Sequence, residues 1–434
     1  MAESKNVRRA ALDILMRMEK SEGEGYSNRL IDSAISKNSF EGADRALLSQ
    51  LVSGVTERRI TLDYIIQRFS KAPLSKLDTD ALCLLRMGIY QLRYLDRIPQ
   101  HAAVNETVNL ARSRSRGFIN AVLRSYLRTD EIKFPQKPDA ERLSVAFSAP
   151  RELCERLISV YGAKATEDIL SSYLEATALT LRTNTLRTTR EELINVLGEG
   201  GFECAPTETS PFGIRVFGSG LPTAIAGGLC FVQDEASQIA SLVLDPHEGD
   251  SILDACACPG GKSFSAALLM NNKGSVTSCD LHASKLPLIS SGAERLGITI
   301  INTEERDSSI TREDAEFDRI ICDVPCSGLG VAAKKTEIKY RPLAKNAELP
   351  PLQYSILCAV SQLLKIGGTL IYSTCTILPE ENENIVEKFL AEHKNFEAVP
   401  FDVGKYSAPK GTLTLLPSTG HDGFFISKIT RKTK

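Results

Sequence analysis

From Gly227 onward the chain alternates short apolar runs with stretches of helical spacing. The runs are Ser251–Ala255, Ser275–Asp280, Ile298–Asn302, Phe317–Asp323, Gly368–Ser373, Phe396–Val399 and Gly423–Ile429. This alternation predicts a mainly parallel, doubly wound sheet with helices between most strands. In such sheets ligands bind beyond the C-terminal strand ends.

The stretch Ser251–Ser263, SILDACACPGGKS, is the most constrained part of the pattern. An apolar strand reaches the turn Pro259-Gly260-Gly261, and Lys262 and Ser263 open a helix. Backbone N–H groups at a helix start lack intrahelical partners and can face a ligand. The two glycines admit a ligand where a Cβ would clash. A phosphate-binding P-loop is excluded, because Cys256 stands where its first glycine belongs, and no Gly-x-Gly-x-x-Gly fingerprint is present. An S-adenosylmethionine loop and an ordinary strand-to-helix turn both fit.

Polar residues collect at the predicted strand ends. Asp254 closes the first strand and Asp280 the second, about twenty residues past the glycine turn, where a carboxylate can meet ribose hydroxyls. Asp307 follows the third, Asp323-Val324-Pro325-Cys326 the fourth, and Thr374-Cys375 the fifth. If the last two strands are neighbours, their backbones lie about 4.8 Å apart and both thiols face one crevice. A metal pair would need further ligands, and no Cys-x-x-Cys or His cluster accompanies them, so no metal is expected. Burial as small hydrophobes accounts for Cys83, Cys154, Cys204, Cys230, Cys279, Cys322 and Cys358. For Cys326 and Cys375, nucleophilic catalysis is the third possibility. Cytosine C5 is a poor nucleophile until a thiolate adds to C6, and a second group must then remove the C5 proton. Two cysteines and a carboxylate near a methyl donor meet that need.

At 434 residues two or three domains are expected. No apolar run is long enough to cross a bilayer, and MAESKNVRRA is followed by no apolar core, so neither a membrane partner nor a signal peptide is expected. The eleven cysteines then read as reduced thiols in a cytoplasmic protein. Net charge is -2, but residues 1–130 hold 21 Lys and Arg against 15 Asp and Glu. That third is the basic part, and an RNA-facing surface or a solvated one would both fit.

Residues 1–130 show helical periodicity throughout, as in Ala11, Ile14, Leu15 and Met18, which predicts an all-α bundle. Asp78 and Asp80 are candidate N-caps of a helix reaching Tyr94. Arg112, Arg114 and Arg116 precede Gly117-Phe118, with Arg124 and Arg128 beyond. Residues 131–140, EIKFPQKPDA, read as a linker. Residues 141–226 then form a small α/β domain, with strands at Leu179–Arg182 and Gly213–Phe217 and a capping box at Thr189–Glu192. The α/β domain proper occupies 227–434.

DACACPGGK, DVPCSGLG, STC and PEENE, in this order, resemble the RNA cytosine-C5 methyltransferases. LRTNTLRTTREEL, VQDEASQ and DGFFISKI are similar to that family's flanking motifs, and the helical N-terminus with GFINAVLR resembles the NusB-like domain of its bacterial Sun/Fmu-type subgroup. The resemblance covers nearly the whole chain. It implies a Rossmann-like class I methyltransferase sheet, S-adenosylmethionine as methyl donor, and 16S ribosomal RNA or its small-subunit precursor as partner; separately from the resemblance, a monomer is expected. It places Cys256, Ala257, Cys258, Pro259, Gly260, Gly261 and Lys262 at the cofactor. Asp280 matches the ribose-binding acid, Asp307 the adenine-side acid, and Asp323 an acid beside cofactor and base. Cys375 matches the nucleophile and Cys326 the cysteine that assists release. DNA cytosine methyltransferases instead place the nucleophile in a Pro-Cys such as Pro325-Cys326. Two departures stand out. Cys258 occupies a position usually held by a small residue such as Ala. Ala332-Ala333 lie in a loop that often bears arginine, although Lys334, Lys335, Lys339 and Arg341 remain as candidate RNA contacts. A non-catalytic RNA-binding or assembly factor, or an enzyme acting on transfer RNA, are the rival functions.

Overall fold

The computed structural model describes residues 6–20, 27–175, 178–218, 220–311, 316–417 and 420–433. The chain divides into two compact units, Met1–Leu174 with Lys334–Leu343, and Glu175–Ala333 with Ala344–Lys434.

The first unit is helical: α1 (Val7–Lys20), α2 (Ser27–Asn38), α3 (Gly42–Glu57), α4 (Arg59–Phe69), α5 (Thr79–Tyr94), α6 (Gln100–Leu110), α7 (Ser113–Leu127), α8 (Asp139–Phe147) and α9 (Arg151–Ser172). Helix α5 is buried from Asp80 to Gln91, and α1, α3, α4, α6 and α7 pack around it. Helix α3 approaches it at Gly54, where a Cβ would overlap the Tyr90 ring. Burying Arg86 in this core is tolerated because Asp63 takes its guanidinium at 2.6 and 2.8 Å and Glu19 at 2.8 Å. Asp78 does hold the N-cap position of α5, but its side chain makes no cap bond. Its carboxylate meets Arg114 at 2.8 Å instead, while Asp80, inside the helix, meets Arg112 at 3.0 Å. Helices α8 and α9, read from the sequence as the start of a middle domain, group with these helices. Thr61 Oγ1 donates to the Val145 carbonyl at 2.6 Å, and Ser148 Oγ accepts from the Ile60 N–H at 2.9 Å.

The strap Lys334–Leu343 belongs to this unit although the sequence sets it deep in the α/β part. Lys339 is only 1% exposed. Its ammonium donates to the carbonyls of Glu57 and Phe147, the last residues of α3 and α8, at 3.0 and 3.4 Å. Terminal helix carbonyls lack intrahelical donors, and a cation is their natural partner. Tyr340 also donates to the Glu57 carbonyl, at 2.9 Å, and Arg59 lies over its ring. Lys339 therefore anchors the strap and is closed to RNA, contrary to the expectation for this loop.

The second unit holds two main sheets. The smaller contains β1 (Leu179–Thr183), β2 (Glu203–Pro206), β3 (Gly213–Phe217) and β4 (Cys230–Val232), in the order β2-β3-β1-β4 and antiparallel. Helices α10 (Arg190–Glu199) and α11 (Thr223–Ala226) accompany it. Thr189 and Glu192 form the expected capping box.

The larger sheet is built from β5 (Ser251–Asp254), β6 (Ser275–Asp280), β7 (Ile301–Glu305), β8 (Phe317–Asp323) and β9 (Leu364–Thr374). Between them run α13 (Gly261–Leu269), α14 (Leu286–Leu296) and α15 (Leu349–Ser361), with α12 (Glu235–Leu244) before β5 and α16 (Glu383–Glu392) after β9. Beyond β10 (Phe396–Ala398), β11 (Phe401–Val403) and β12 (Tyr406–Ala408) form a separate hairpin, then β13 (Thr412–Leu415) and β14 (Phe424–Arg431) follow. The order is β10-β14-β9-β8-β5-β6-β7 with β13 on β14. Strands β5 to β9 are parallel, and β14 runs antiparallel to β9. Strand β5 lies between β6 and β8, so the order reverses beside its C-terminal end and opens a crevice there. The third strand begins three residues later than expected. Gly297, left-handed at φ 76, caps α14, and the Ile298 N–H returns to the Ala293 carbonyl, so the helix cap uses up Ile298.

Candidate active site

Three loops meet at the C-terminal end of β5. Gly260 is left-handed at φ 108, and a Cβ there would overlap the Phe264 ring, so the turn requires glycine. The loop is pinned to β6 by the Ala257 N–H on the Cys279 carbonyl at 2.7 Å. Ser308 Oγ donates to the Ala255 carbonyl at 2.7 Å, and the Arg306 N–H to the Asp280 carbonyl at 3.0 Å. The glycine loop, the end of β6 and the Asp307 loop thus form one edge.

A cavity of about 200 Å³ opens there, lined among others by Gln233, Asp254, Cys256, Gly261, Lys262 and Asp323. Ala257, Cys258 and Pro259 also line it, and Gly260 sits in the turn behind. Cys258 is half-buried and its thiol points to the Lys285 carbonyl at 3.9 Å. Asp280 and Asp307 stand outside this lining. Asp280 is mostly buried, accepting the His282 N–H at 3.0 Å with Lys285 Nζ 3.3 Å away. Asp307 accepts from the N–H and hydroxyl of Ser309 at 2.9 and 2.6 Å.

The cavity floor is Asp254, whose role the sequence left unassigned. Its Oδ2 accepts Ser263 Oγ at 2.6 Å, and Ser278 Oγ donates to Ser263 at 2.7 Å. Its Oδ1 is buried, with the Cys256 backbone beside the carboxyl. Burial pushes this carboxyl up to about 7. Burial likewise pushes up the neighbouring Cys256 thiol, which leaves it protonated and unreactive at neutral pH.

Across the crevice, Asp323 ends β8. Lys262 Nζ meets its Oδ2 at 2.6 Å and Ser373 Oγ its Oδ1 at 2.7 Å. Lys262 also lies over the Phe424 ring. Strands β8 and β9 are neighbours in register Asp323 to Ser373, and the loops beyond them bring Cys326 Sγ within 3.2 Å of Cys375 Sγ. The Cys375 contact and burial push the Cys326 thiol well above its ordinary value. All eleven cysteines are free thiols. Of those expected to be buried, Cys204 and Cys358 are only half-buried.

The loop carrying Cys375 is interlocked with two other motifs. The Gly330 N–H donates to the Cys375 carbonyl at 2.9 Å, and the Gly423 N–H to the Gly330 carbonyl at 2.8 Å. A Cβ on Gly330 would overlap the Gly423 carbonyl. Within PEENE, Asn382 accepts Thr374 Oγ1 at 2.6 Å and donates to the Thr376 carbonyl at 3.1 Å, while Glu381 accepts the Ser327 N–H at 2.8 Å. The sequence marked PEENE as a motif and gave no role to its members. Gln353, which joins Glu381 at 2.9 Å, carried no local signal at all. Among the described residues no helix is long and apolar enough to cross a membrane.

The profile described as 16S rRNA methyltransferase RsmB/F matches residues 241–430, the NusB family profile residues 5–128, and an RsmF/B-like ferredoxin-like domain residues 149–220. A probable ribosomal RNA small subunit methyltransferase B of Bacillus subtilis is 38% identical over 98% of this chain and 99% of its own. One from Synechocystis is 35% identical over 94% and 96%. The crystal structure of PH0851 superposes with a TM-score of 0.82 at 27% identity, covering 99% of this chain and 100% of that one. With the motifs in order along one crevice and the similarity running from end to end, the chain belongs to the RsmB/F methyltransferase family, with NusB and ferredoxin-like domains ahead of its class I methyltransferase sheet.

Proposed function

We propose that this protein methylates C5 of a cytosine in 16S ribosomal RNA, using S-adenosylmethionine and a covalent bond between Cys375 and C6. The observation that carries the reading is the 3.2 Å approach of Cys326 and Cys375 on the loops beyond Asp323 and Ser373. The names of the relatives, small-subunit ribosomal RNA methyltransferases, support the choice of RNA. The same reading makes the protein a cytoplasmic monomer that needs no metal.

The residues of the crevice fit the methyl donor. The glycine loop exposes main chain, and Asp254, Lys262 and Asp323 line the cavity beside it. Cys256 to Lys262 would hold the donor, with Asp280 on its ribose hydroxyls and Asp307 on the adenine side. When bound, it supplies a methyl group made electrophilic by the sulfonium. The chain does the rest. As the Cys375 sulfur adds to C6 its proton passes to N3 of the ring, which turns C5 into a carbon nucleophile. Asp323, held by Lys262 and Ser373, accepts a hydrogen bond from the cytosine edge protonated at N3. The contact with Cys375 is what chiefly holds the Cys326 proton, so once that sulfur is bonded to C6 Cys326 gives the proton up to solvent, and after C5 carries the methyl the resulting thiolate takes the C5 proton. The C5–C6 double bond re-forms as the C6–S bond breaks, and Cys375 leaves as thiolate. The base must stand out of its stack to reach either thiol.

The test is methyl transfer from labelled S-adenosylmethionine to 16S RNA and to transfer RNA, with the product mapped by nucleotide. The expected product is 5-methylcytosine in 16S RNA. Label only in transfer RNA, or at another atom, overturns the reading.

A further inference from the structure

The mechanism above gives Cys326 the release step, and the fold holds that residue by an unusual device. Glu381 lies in the turn Pro379–Glu381, 1% exposed. Its Oε2 accepts both the Ser327 N–H at 2.8 Å and Gln353 Nε2 at 2.9 Å. The same Gln353 Nε2 donates to the Pro325 carbonyl at 2.9 Å. The Pro325 carbonyl belongs to the peptide before Cys326 and the Ser327 N–H to the peptide after it. One carboxylate and one amide therefore tie both peptide planes that flank the cysteine. Fixing those planes fixes the direction of its Cα–Cβ bond, and with it the thiol.

The clamp is anchored to the strand that carries the other thiol. Tyr372 of β9 donates its hydroxyl to the Glu381 carbonyl at 2.6 Å, and Ser327 Oγ pairs with Thr376 Oγ1 at 2.7 Å. The arrangement is costly for folding. Glu381 Oε1 and Gln353 Oε1 are both buried with no hydrogen-bond partner among the described residues. A buried carboxylate answered only by neutral donors is expensive, and a well-packed apolar pair would be cheaper. Such a group is best understood through what it positions.

We propose that Glu381, with Gln353 as its bridge, is a positioning residue for Cys326 and governs the release of methylated RNA rather than methyl transfer. This rests on the division of labour between the two cysteines proposed above. No bond to the base is formed by either residue.

The experiment uses the full-length protein and a 16S RNA substrate in single turnover. It reads methyl transferred, protein–RNA adduct surviving denaturing electrophoresis, and cofactor affinity. Glu381→Ala is expected to leave cofactor affinity and methyl transfer within about threefold of the parent, to slow adduct resolution at least tenfold, and so to accumulate adduct as Cys326→Ala does. Glu381→Gln keeps an oxygen where Oε2 now accepts both bonds and is expected to restore resolution. Gln353→Met removes only the bridge and should show the same defect in milder form, which preserves the test if Glu381→Ala does not fold. Equal slowing of transfer and resolution in Glu381→Ala or Gln353→Met would reduce the clamp to a structural role and overturn the proposal. So would resolution at the parent rate. If Cys326→Ala itself accumulates no adduct, the assignment of the cysteines is what fails.

Discussion

Lys339 donates its ammonium to the Glu57 carbonyl, 3.0 Å away and 282 positions earlier in the chain. Burial lowers its pKa from 10.5 to about 7, against the smaller opposing pull of Glu57; Arg58 and Arg59 push it further down, and Cys154 slightly up. Between pH 7 and about 10.4 the unfolded chain, with an ordinary lysine, binds more protons than the folded one. Stability from this group therefore rises with pH across that window and is flat below it. Glu57, pushed up by burial, has the opposite sign and acts in the acid range. Calorimetric melting at pH 7, 8 and 9 should show a rising transition temperature, and Lys339→Met should flatten the rise. An unchanged slope in the variant would place the titration elsewhere.

How much of this was legible in the sequence differs between the two units. The alternating pattern, the glycine turn and the strand-end acids were readable because each depends on neighbours within a few residues. Strands β6 and β8 fall where the apolar runs placed them, and β9 runs four residues longer at its start. The short strands β2, β4, β11, β12 and β13 carry too few residues for a period to show. Lys339 could not be read. In a run containing Lys334, Lys335 and Arg341 it looks like one more surface cation, and only the ends of α3 and α8 make it an anchor. Gln353 was invisible for the same reason, since its partners Pro325 and Glu381 each lie 28 positions away.

The burial of Lys339 also changes how RNA binding by the helical unit should be tested. Deleting residues 1–130 would remove the Glu57 carbonyl from the strap, so a loss of binding would be ambiguous. A groove of about 620 Å³ among α1, α2 and α6 offers a cleaner target, since Arg9, Arg17 and Lys37 line it. All three are exposed. Replacing them with Gln should weaken RNA binding and reduce its salt slope by about 0.7 for each phosphate no longer neutralised. An unchanged slope would make this groove an ordinary solvated surface.

Asp280 carries the prediction for the cofactor. A carboxylate accepting from ribose hydroxyls contributes about 1.5–3 kcal/mol per charged hydrogen bond. Asp280→Ala should therefore weaken S-adenosylmethionine binding about tenfold or more by titration calorimetry. Affinity equal to the parent protein would remove Asp280 from the site.

Gly330 should be intolerant of any side chain. Gly330→Ala drives a methyl group into the Gly423 carbonyl and against the Cys375 carbonyl. Overpacking of this kind costs about 1–3 kcal/mol, and the strain falls on the backbone that presents Cys375, the proposed nucleophile. Methylation should drop at least tenfold while cofactor affinity, proposed to rest on the glycine loop, stays near the parent value. A variant with full activity would show that the loop holding Cys375 has slack.

The two thiols should separate cleanly by substitution. An isolated thiol with a pKa of about 8.5 is mostly protonated at neutral pH, so Cys375 must lose its proton as the base arrives. The Cys326 thiol, held protonated by its hydrogen bond with Cys375 and by burial, can donate to the other sulfur and stabilise it as thiolate. Cys375→Ala should then abolish both methylation and covalent capture of RNA. Cys326→Ala should still add to C6 and still transfer the methyl, but no base remains to take the C5 proton. The protein–RNA adduct should accumulate and survive denaturing electrophoresis, with about one methyl per adduct when labelled donor is used. Capture in Cys326→Ala should also begin more slowly, since the hydrogen bond to the attacking sulfur is gone. If the adduct instead accumulates in Cys375→Ala, Cys326 is the nucleophile and the arrangement is that of the DNA enzymes.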